Sequence, residues 1–469
     1  MATYYIDPDW TGTQSGTEAE PFDSWADVTW GANNVYLQKR GTDTNSSPQD
    51  AGAISVANIT LGAYGNGEKP IIRSSGQSTA VILNDGTTNC LIENLSFISD
   101  SFNTVAIISS TSNTNSFTIK NCHFDGAGNV NRIIFARGDG IKIMNSYLTG
   151  YTNNGVQSSS ATDGIINNVL VSNCHFYQDI GTNDAVVSKE YGTVGDSSYW
   201  IVEGNLFTCL TGEEAIDLYG GTGHIIRNNI ITEANGWGIR ADSGDIEVYG
   251  NLIKNCNTDG IQMGDLTTRH FGPANPTCSV HNNILIDCSI VLDYTQPVSY
   301  GKIYNNTFIQ RSNTSPSINM DADDATSVEI YNNIFDCNVA TWCIDYGGGN
   351  ASSTGTVAAD KTISGNNIFI NPGYASLFRV EATSYTDIEA LQAAESQLEI
   401  DSLEADPKLN SDYTLQTSSP CIGAGTAPLS EKDFNGKYRK ALSNDIGAKW
   451  FDAHEDSTVE ELLASGGST

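Results

Sequence analysis

One short pattern, an asparagine flanked by apolar residues, recurs along most of this 469-residue chain. Examples are Ile-Lys-Asn121-Cys-His-Phe and Val-Ser-Asn173-Cys-His-Phe. The anchoring asparagines are Asn94, Asn121, Asn145, Asn173, Asn205, Asn229, Asn251, Asn283, Asn306, Asn333 and Asn367. Successive anchors lie 22 to 34 residues apart, which is a repeat length typical of solenoids. Such a repeat constrains the fold strongly, because each unit must bury its apolar side against the next unit.

The residues around each anchor predict strands rather than helices. Asparagine tolerates the left-handed backbone conformation that a sharp corner requires. The flanking Ile, Val, Leu and Phe residues alternate with polar residues, which is the period of a β-strand. Leucine-rich repeats would show leucines at fixed offsets and a helical half, and propeller blades would be longer, four-stranded units. The chain is therefore predicted to be an all-β, single-stranded, right-handed parallel β-helix.

The segments outside the repeat predict a cap at each end. We expect a first strand and an N-terminal cap over residues 1–50, since a solenoid must protect its first open edge. Stacked coils follow over 51–375. Residues 376–469 are predicted to form a helix around 386–394, a loop-rich closing segment and an acidic tail.

Charge and hydropathy exclude several kinds of partner. The formal net charge is -32, and no basic stretch is available to neutralise the phosphates of a nucleic acid. The same charge disfavours anionic membranes, and no apolar run has the length of a bilayer span. We expect an extracellular protein, secreted in its mature form, or a protein associated with a virion.

Ten cysteines are present, without the C-x-x-C spacing of zinc sites. Cys122 and Cys174 occupy the same place in two repeats, which favours stacked, buried thiols over disulfides. Cys337 and Cys343 are the pair in which a disulfide is most expected.

Both ends of the chain and its repeats resemble the pectate-lyase-like superfamily of bacterial and phage β-helix proteins that act on polysaccharides. The N-terminal run Tyr4-Tyr5-Ile6-Asp7-Pro8 and the C-terminal runs Asp406-Pro407 and Asp445-Ile446-Gly447-Ala448 carry this resemblance. It covers nearly the whole chain and implies a polysaccharide as the partner. It also implies a monomer or, as in phage relatives, a homotrimer.

A narrower stretch, Val186-Val187-Ser188-Lys189, resembles the catalytic-lysine segment of alginate lyases and chondroitinase B. That family has acidic calcium ligands five and seven residues before the lysine, where this chain has Asp184 and Thr182. Its catalytic arginine lies in the next coil, where this chain has Leu218-Tyr219-Gly220-Gly221. The resemblance implies a lyase with a calcium ion as a possible cofactor.

Stacking the strand that precedes each asparagine turn predicts two columns of outward side chains. The first column is Phe135, Gln157, Val187, Asp217, Arg240, Gln262, Asn319 and Asp345. The second is Arg137, Ser159, Lys189, Tyr219, Asp242, Gly264, Asp321 and Gly347. Because neighbouring coils lie about 4.8 Å apart, we expect Lys189, Asp217, Tyr219, Arg240 and Asp242 to cluster on an exposed face.

These side chains favour β-elimination on a uronic acid. Lys189 would take the C5 proton, with Tyr219 as the acid or as an alternative base. Arg240 or a calcium ion would neutralise the uronate carboxylate. The predicted calcium ligands are Asp184, Glu213 and Glu214, with Asp217 as a further candidate.

Two other functions are consistent with the same residues. Asp217 and Asp242 have the predicted separation of an inverting glycoside hydrolase. Alternatively, the protein is a non-catalytic glycan-binding or phage fibre β-helix. In each case the predicted substrate-binding residues are Tyr191, Trp237, Gln262, Arg269 and His270, with Trp200 as a further stacking platform.

Overall fold

A computed structural model describes residues 1–449, apart from 74–78, 85, 100–103, 111–114, 160–165, 190–196, 265–276, 293–299, 321–326, 348–361, 371–375, 427–431 and 436–443. The chain divides into two compact units, Met1–Gly221 and Thr222–Thr469, here called the N-terminal and C-terminal units. Each is described by itself. The domain boundaries expected at residues 50 and 375 remain predictions.

The N-terminal unit consists of short strands and two 3₁₀ helices, Trp25–Asp27 and Pro48–Ala51. Its strands are β1 (Thr3–Ile6), β2 (Val35–Lys39), β3 (Asp43–Thr44), β4 (Thr60–Tyr64), β5 (Ile71–Arg73), β6 (Val81–Leu83), β7 (Thr88–Glu93), β8 (Ser96–Ile98), β9 (Thr104–Ser110), β10 (Asn115–Lys120), β11 (His123–Ala136), β12 (Lys142–Met144), β13 (Tyr147–Ser159), β14 (Leu170–Ser172), β15 (His175–Gln178), β16 (Val186–Lys189), β17 (Ile201–Glu203), β18 (Leu206–Cys209) and β19 (Ile216–Arg227), whose last residues belong to the C-terminal unit.

The C-terminal unit continues with strands and one short helix, α1 (Ile388–Ala394). Its strands are β20 (Ile230–Ala234), β21 (Ile239–Tyr249), β22 (Leu252–Lys254), β23 (Ile261–Met263), β24 (Thr277–His281), β25 (Ile284–Ile286), β26 (Ile290–Leu292), β27 (Tyr300–Tyr304), β28 (Thr307–Gln310), β29 (Ile318–Met320), β30 (Val328–Tyr331), β31 (Ile334–Cys337), β32 (Ile344–Asp345), β33 (Thr362–Gly365), β34 (Ile368–Ile370), β35 (Phe378–Val380), β36 (Thr383–Tyr385) and β37 (Leu403–Glu404). Among the described residues, no helix is long and apolar enough to span a bilayer.

The strands of successive repeats pair in parallel, in the register that the repeat predicts. On one wall of the N-terminal unit the paired residues are Ile92, Ile119, Ile143, Val171 and Val202. After each asparagine turn, a second column contains Phe97, Phe124, Leu148, Phe176 and Phe207. All of these side chains are buried. The interior is therefore built from stacked identical or similar apolar residues, which confirms the predicted parallel solenoid.

The asparagine turns have two different structural roles. In the N-terminal unit, Asn121 and Asn173 adopt the left-handed conformation, with φ of 52° at each. In the C-terminal unit most turns have two asparagines, and the first, such as Asn305 (φ 56°), takes the left-handed position. The second asparagine is buried instead and belongs to a hydrogen-bonded ladder. In this ladder each Nδ2 donates to Oδ1 of the next member through Asn229, Asn251, Asn283, Asn306, Asn333 and Asn367.

The cysteines confirm one prediction and correct another. All ten are buried free thiols. Cys122 and Cys174 lie in equivalent interior positions, and burial raises the pKa of each to about 12. The disulfide expected between Cys337 and Cys343 is not formed: the two free thiols are hydrogen-bonded neighbours, and Cys337 also contacts the Ser317 hydroxyl at 3.1 Å.

The C-terminal helix and closing segment form as predicted. Helix α1 begins after Asp387, whose carboxylate accepts a hydrogen bond from the Ala390 N–H at 2.7 Å and so caps the first turn. The segment beyond β37 then returns along the outside of its own unit. Asn282 Nδ2 donates to the Lys432 carbonyl at 2.6 Å, and apolar residues of the segment pack against Ile334 and Ile368.

Candidate functional site

The first predicted column is present in both units. In the N-terminal unit Phe135, Gln157, Val187 and Asp217 are paired in consecutive coils. In the C-terminal unit the paired residues are Arg240, Gln262, Val291, Asn319, Asp345 and Arg379. The predicted column omitted the coil of Val291, which lies between those of Gln262 and Asn319.

Most of the column is buried, not exposed as the alternation of side chains suggested, and its half-buried members are Arg240, Val291, Asn319 and Arg379. Asp217 and Gln262 are each 2% exposed and Asp242 is fully buried. In the C-terminal unit, long side chains lie along the column and cover part of it. Arg240 Nε is 2.8 Å from Asp242 Oδ2, and its guanidinium lies 5.8 Å from the Trp237 ring centroid. Arginine can lay its apolar stem along a surface and cover the residues beneath it. A side chain that points away from the interior is therefore not always accessible to solvent.

Three acidic residues come together in the N-terminal unit. One carboxylate oxygen each of Asp184, Glu214 and Asp217 lies within 4.8 Å of the others, and all three residues are buried. Asp184 and Glu214 occupy equivalent positions in adjacent coils, and the Glu214 N–H donates to Asp184 Oδ1 at 3.4 Å. Glu213, predicted as a ligand, is exposed and outside this cluster. Asp217, predicted mainly as a catalytic residue, takes its place.

The donor set of this acidic cluster fits a hard divalent cation. Calcium prefers carboxylate and amide oxygens, and the cluster supplies three carboxylates. The Asn154 amide lies beside the cluster, with Nδ2 donating to Asp184 Oδ2 at 3.3 Å. Its buried Oδ1 makes no hydrogen bond within the described part of the chain. Burial, together with the smaller effect of the Asp184 charge, raises the pKa of the Cys209 thiol to about 12.

Lys189 and Tyr219 follow the cluster on the same two coils. Ser188 pairs with Leu218, so Lys189 and Tyr219 are each the next residue along β16 and β19. The Ser188 hydroxyl accepts a hydrogen bond from the Tyr219 N–H at 3.0 Å, which fixes this position. Tyr219 is half-buried. Of Lys189 the structure describes the backbone alone, which pairs with Ser159.

The other predicted residues have different outcomes. Arg240 and Asp242 lie in the C-terminal unit, and their approach to Lys189 remains a prediction. Tyr191, Arg269, His270 and the acidic turn at 321–324 lie outside the described residues. Trp237 is half-buried. Trp200 is not a stacking platform, because it is fully buried and its indole N–H donates to the Ile166 carbonyl.

Sequence reasoning missed several side chains around the column. Arg132 pairs with Asn154 and was missed because β11 has register shifts on both sides of Val130. Arg379 forms a bidentate ion pair with Asp345, with its Nε 2.9 Å from Oδ1, and lies 4.3 Å from the Trp342 ring centroid. Extending the column by one more coil would have found Arg379.

Comparison with known proteins confirms the architecture. The family model "Right handed beta helix region" matches residues 169–335, and no curated protein gives a significant match. XylC in complex with xylose aligns with 95% of this chain and 98% of its own, at 10% identity and a TM-score of 0.50. A GH136 lacto-N-biosidase from Eubacterium ramulus aligns with 68% of this chain at 15% identity and a TM-score of 0.47.

The chain spans about two thirds of that lacto-N-biosidase, covering 65% of its length. A rhamnogalacturonan lyase aligns over 99% of both chains, at 12% identity and a TM-score of 0.41. Likenesses at such identities concern the fold alone. The stacked parallel coils and the family model identify this chain as a right-handed parallel β-helix protein.

Proposed function

We propose that this protein is a polysaccharide lyase that cleaves an acidic, uronate-containing glycan by β-elimination. The observation that carries the proposal is the buried acidic cluster of Asp184, Glu214 and Asp217 at the beginning of β16 and β19. A cation held by these carboxylates and by Asn154 would neutralise the uronate carboxylate and so acidify the C5 proton. The fold by itself does not determine which reaction a protein catalyses.

Lys189 and Tyr219 are the proposed proton-transfer residues. Lys189 would remove the C5 proton, and the C5–H electron pair would form the C4–C5 double bond as the C4–O bond breaks. Tyr219 would give its phenolic proton to the departing oxygen. Tyr219 is suited to this role because its backbone is fixed by Ser188 and its side chain is half-buried.

A hydrolase mechanism fits these acids less well. A glycoside hydrolase places two carboxyl groups on either side of the scissile bond, about 5–9.5 Å apart. The oxygens of the acidic cluster are closer to one another, within 4.8 Å, and are buried. Asp242, the second acid of the hydrolase alternative, is fully buried and ion-paired with Arg240 at 2.8 Å. It is therefore poorly placed to protonate a sugar oxygen.

The net charge of -32 makes a local counter-charge necessary if the substrate is a polyanion. A cation in the acidic cluster would supply part of it. The proposal therefore requires that activity depends on a divalent cation.

The test is an incubation with uronate and neutral polysaccharides, with and without chelator. Ultraviolet absorbance of the unsaturated uronate and new reducing ends are recorded together. We expect both signals to grow on a uronate polymer and to stop with chelator. Reducing ends without absorbance would establish a hydrolase instead, and glycan binding without either signal would establish a binding protein.

Matched lysine variants test the proposed base. Lys189→Ala should abolish the absorbance signal, while Lys142→Ala, at an exposed position of β12, should leave it unchanged. Thermal unfolding of both variants checks that the fold is intact. Lyase activity that survives in folded Lys189→Ala would show that Lys189 is not the base.

A further inference from the structure

One tryptophan of the C-terminal unit is held firmly beside the column and is not enclosed. Trp342 lies just before β32 and is half-buried. The guanidinium carbon of Arg379, on β35, lies 4.3 Å from the centroid of its ring. The indole N–H donates to Ser384 Oγ, on β36, at 3.2 Å. The ring is therefore fixed in one orientation, with one of its faces against the guanidinium.

The charge of Arg379 is already balanced by an acid. Its Nε lies 2.9 Å from Asp345 Oδ1, and its Nη2 contacts Asp345 Oδ2. The Asp345 side chain is only 3% exposed, whereas that of Arg379 is 20% exposed. Both carboxylate oxygens therefore face the guanidinium, and the ion pair has no net charge at neutral pH. The remaining nitrogen, Nη1, makes no hydrogen bond within the described residues.

A second tryptophan with an ion-paired arginine lies four coils earlier in the same unit. Trp237 precedes Ile239 by two residues, as Trp342 precedes Ile344, and the two isoleucines belong to one paired column. Trp237 is also half-buried, with the guanidinium of Arg240 at its ring. Four coils correspond to about 19 Å, a length of several sugar residues. The two indoles therefore occupy equivalent places along one face of this unit.

We propose that Trp342 and Arg379 form a subsite for a neutral sugar residue, which stacks on the indole face opposite the guanidinium. The inference rests on the proposed function only in that the ligand is a polysaccharide. The C–H groups of a sugar ring suit the electron-rich face of an indole, and Nη1 can donate to a sugar hydroxyl. Because Asp345 balances Arg379, in a chain of net charge -32, the subsite has no excess positive charge for a carboxylate. The glycan would then contain neutral sugars as well as uronates.

The test measures the binding of two sets of probes by titration calorimetry, in chelator so that no cleavage occurs. One set is neutral xylo-, manno- and gluco-oligosaccharides, and the other is oligogalacturonates. The variant is Trp342→Ala, and the matched control is Trp10→Ala, at a half-buried tryptophan of the N-terminal unit outside both columns. Trp342→Tyr keeps an aromatic ring, and Asp345→Asn removes the charge that balances Arg379. Thermal unfolding checks that each variant is folded.

We expect Trp342→Ala to bind the neutral oligosaccharides about tenfold more weakly than the control does, with Trp342→Tyr between them. Asp345→Asn should bind oligogalacturonates more tightly than the wild type, because Arg379 then keeps its charge. Equal neutral binding by Trp342→Ala and the control, or none by the wild type, would overturn the subsite while leaving the lyase proposal standing. A loss confined to oligogalacturonates would overturn the neutral assignment. Neutral binding that depends on Trp342, without cleavage of any uronate polymer, would support the subsite and refute the lyase.

Discussion

The asparagine ladder of the C-terminal unit permits a quantitative test of what stabilises the solenoid. Asn306 makes four side-chain hydrogen bonds in the interior. Its Nδ2 donates to the Val280 carbonyl at 2.9 Å and to Asn333 Oδ1 at 3.1 Å. Its Oδ1 accepts from the backbone N–H and the Nδ2 of Asn283, at 3.0 Å and 3.1 Å. The change Asn306→Ala removes all four.

The expected loss of stability follows from these contacts. The buried Asn283 N–H would lose its acceptor, at a cost of about 1–3 kcal/mol, and each of the other three bonds contributes about 0.5–1.5 kcal/mol. We therefore expect Asn306→Ala to lower the free energy of unfolding by about 2.5–7.5 kcal/mol. Because coils interact mainly with their neighbours, the loss should be concentrated in β24, β28 and β31.

The adjacent asparagine is the matched control. Asn305 takes the left-handed position with φ of 56°, and the equivalent residues of two other repeats are Gly204 and Gly250, with φ of 66° and 65°. Glycine adopts this conformation without steric cost. Asn305→Gly also removes the 3.5 Å hydrogen bond from Asn305 Nδ2 to the Asp445 carbonyl, so it should lower the free energy of unfolding by about 0.5–1.5 kcal/mol.

Urea denaturation followed by tryptophan fluorescence measures the global effect, and native-state hydrogen exchange locates it. Both variants are compared with the wild type under the same conditions. If Asn306→Ala cost no more than Asn305→Gly, the buried ladder would not be a main source of stability. Exchange that accelerated evenly over the whole chain would contradict the local character of the effect.

The remaining predictions concern buried acidic groups. Calcium at about 100 times its dissociation constant should stabilise the protein by about 2.7 kcal/mol, so chelation should lower the thermal midpoint of the wild type but not that of Asp217→Asn; an equal shift in both would show that Asp217 is not a ligand. Burial raises the pKa of Glu399 above its ordinary value, so the folded state binds more protons than the unfolded state between the two pKa values, and stability falls as pH rises through that window. Glu399→Gln should remove this part of the pH dependence in urea titrations, and an unchanged profile would contradict it.

The fold was predictable because the same pattern of asparagine and apolar residues occurs in many successive repeats. Each asparagine turn allows a sharp corner, and the flanking apolar residues of every repeat predict the same inward side. A wrong assignment at one repeat is therefore corrected by comparison with the others. The stacking of Phe124 on Phe97 and the buried thiols of Cys122 and Cys174 follow from that regularity.

The site was less predictable, because alternation gives the direction of a side chain but not what covers it. Asp217 points away from the interior column and is buried all the same. Adjacent glutamates also cannot be distinguished by composition: Glu214 joins the acidic cluster, while Glu213 is exposed. The pairing of Arg132 with Asn154 depends on irregular register in β11, which no repeat pattern encodes.

The asparagine ladder has a direction. Within the ladder, every Nδ2 donates to the asparagine of the next coil toward the C-terminal end. The last donor, Asn367 Nδ2, donates to Glu399 Oε2 at 2.9 Å. Glu399 also accepts hydrogen bonds from Tyr346 and Ser402, and its carboxylate has no donor with which to continue the ladder. The ladder therefore ends at Glu399. Coils that carry this asparagine can in principle be duplicated or deleted inside the array, because each accepts one ladder hydrogen bond and donates one. The array cannot be lengthened beyond Asn367 unless Glu399 is moved to the new end of the ladder.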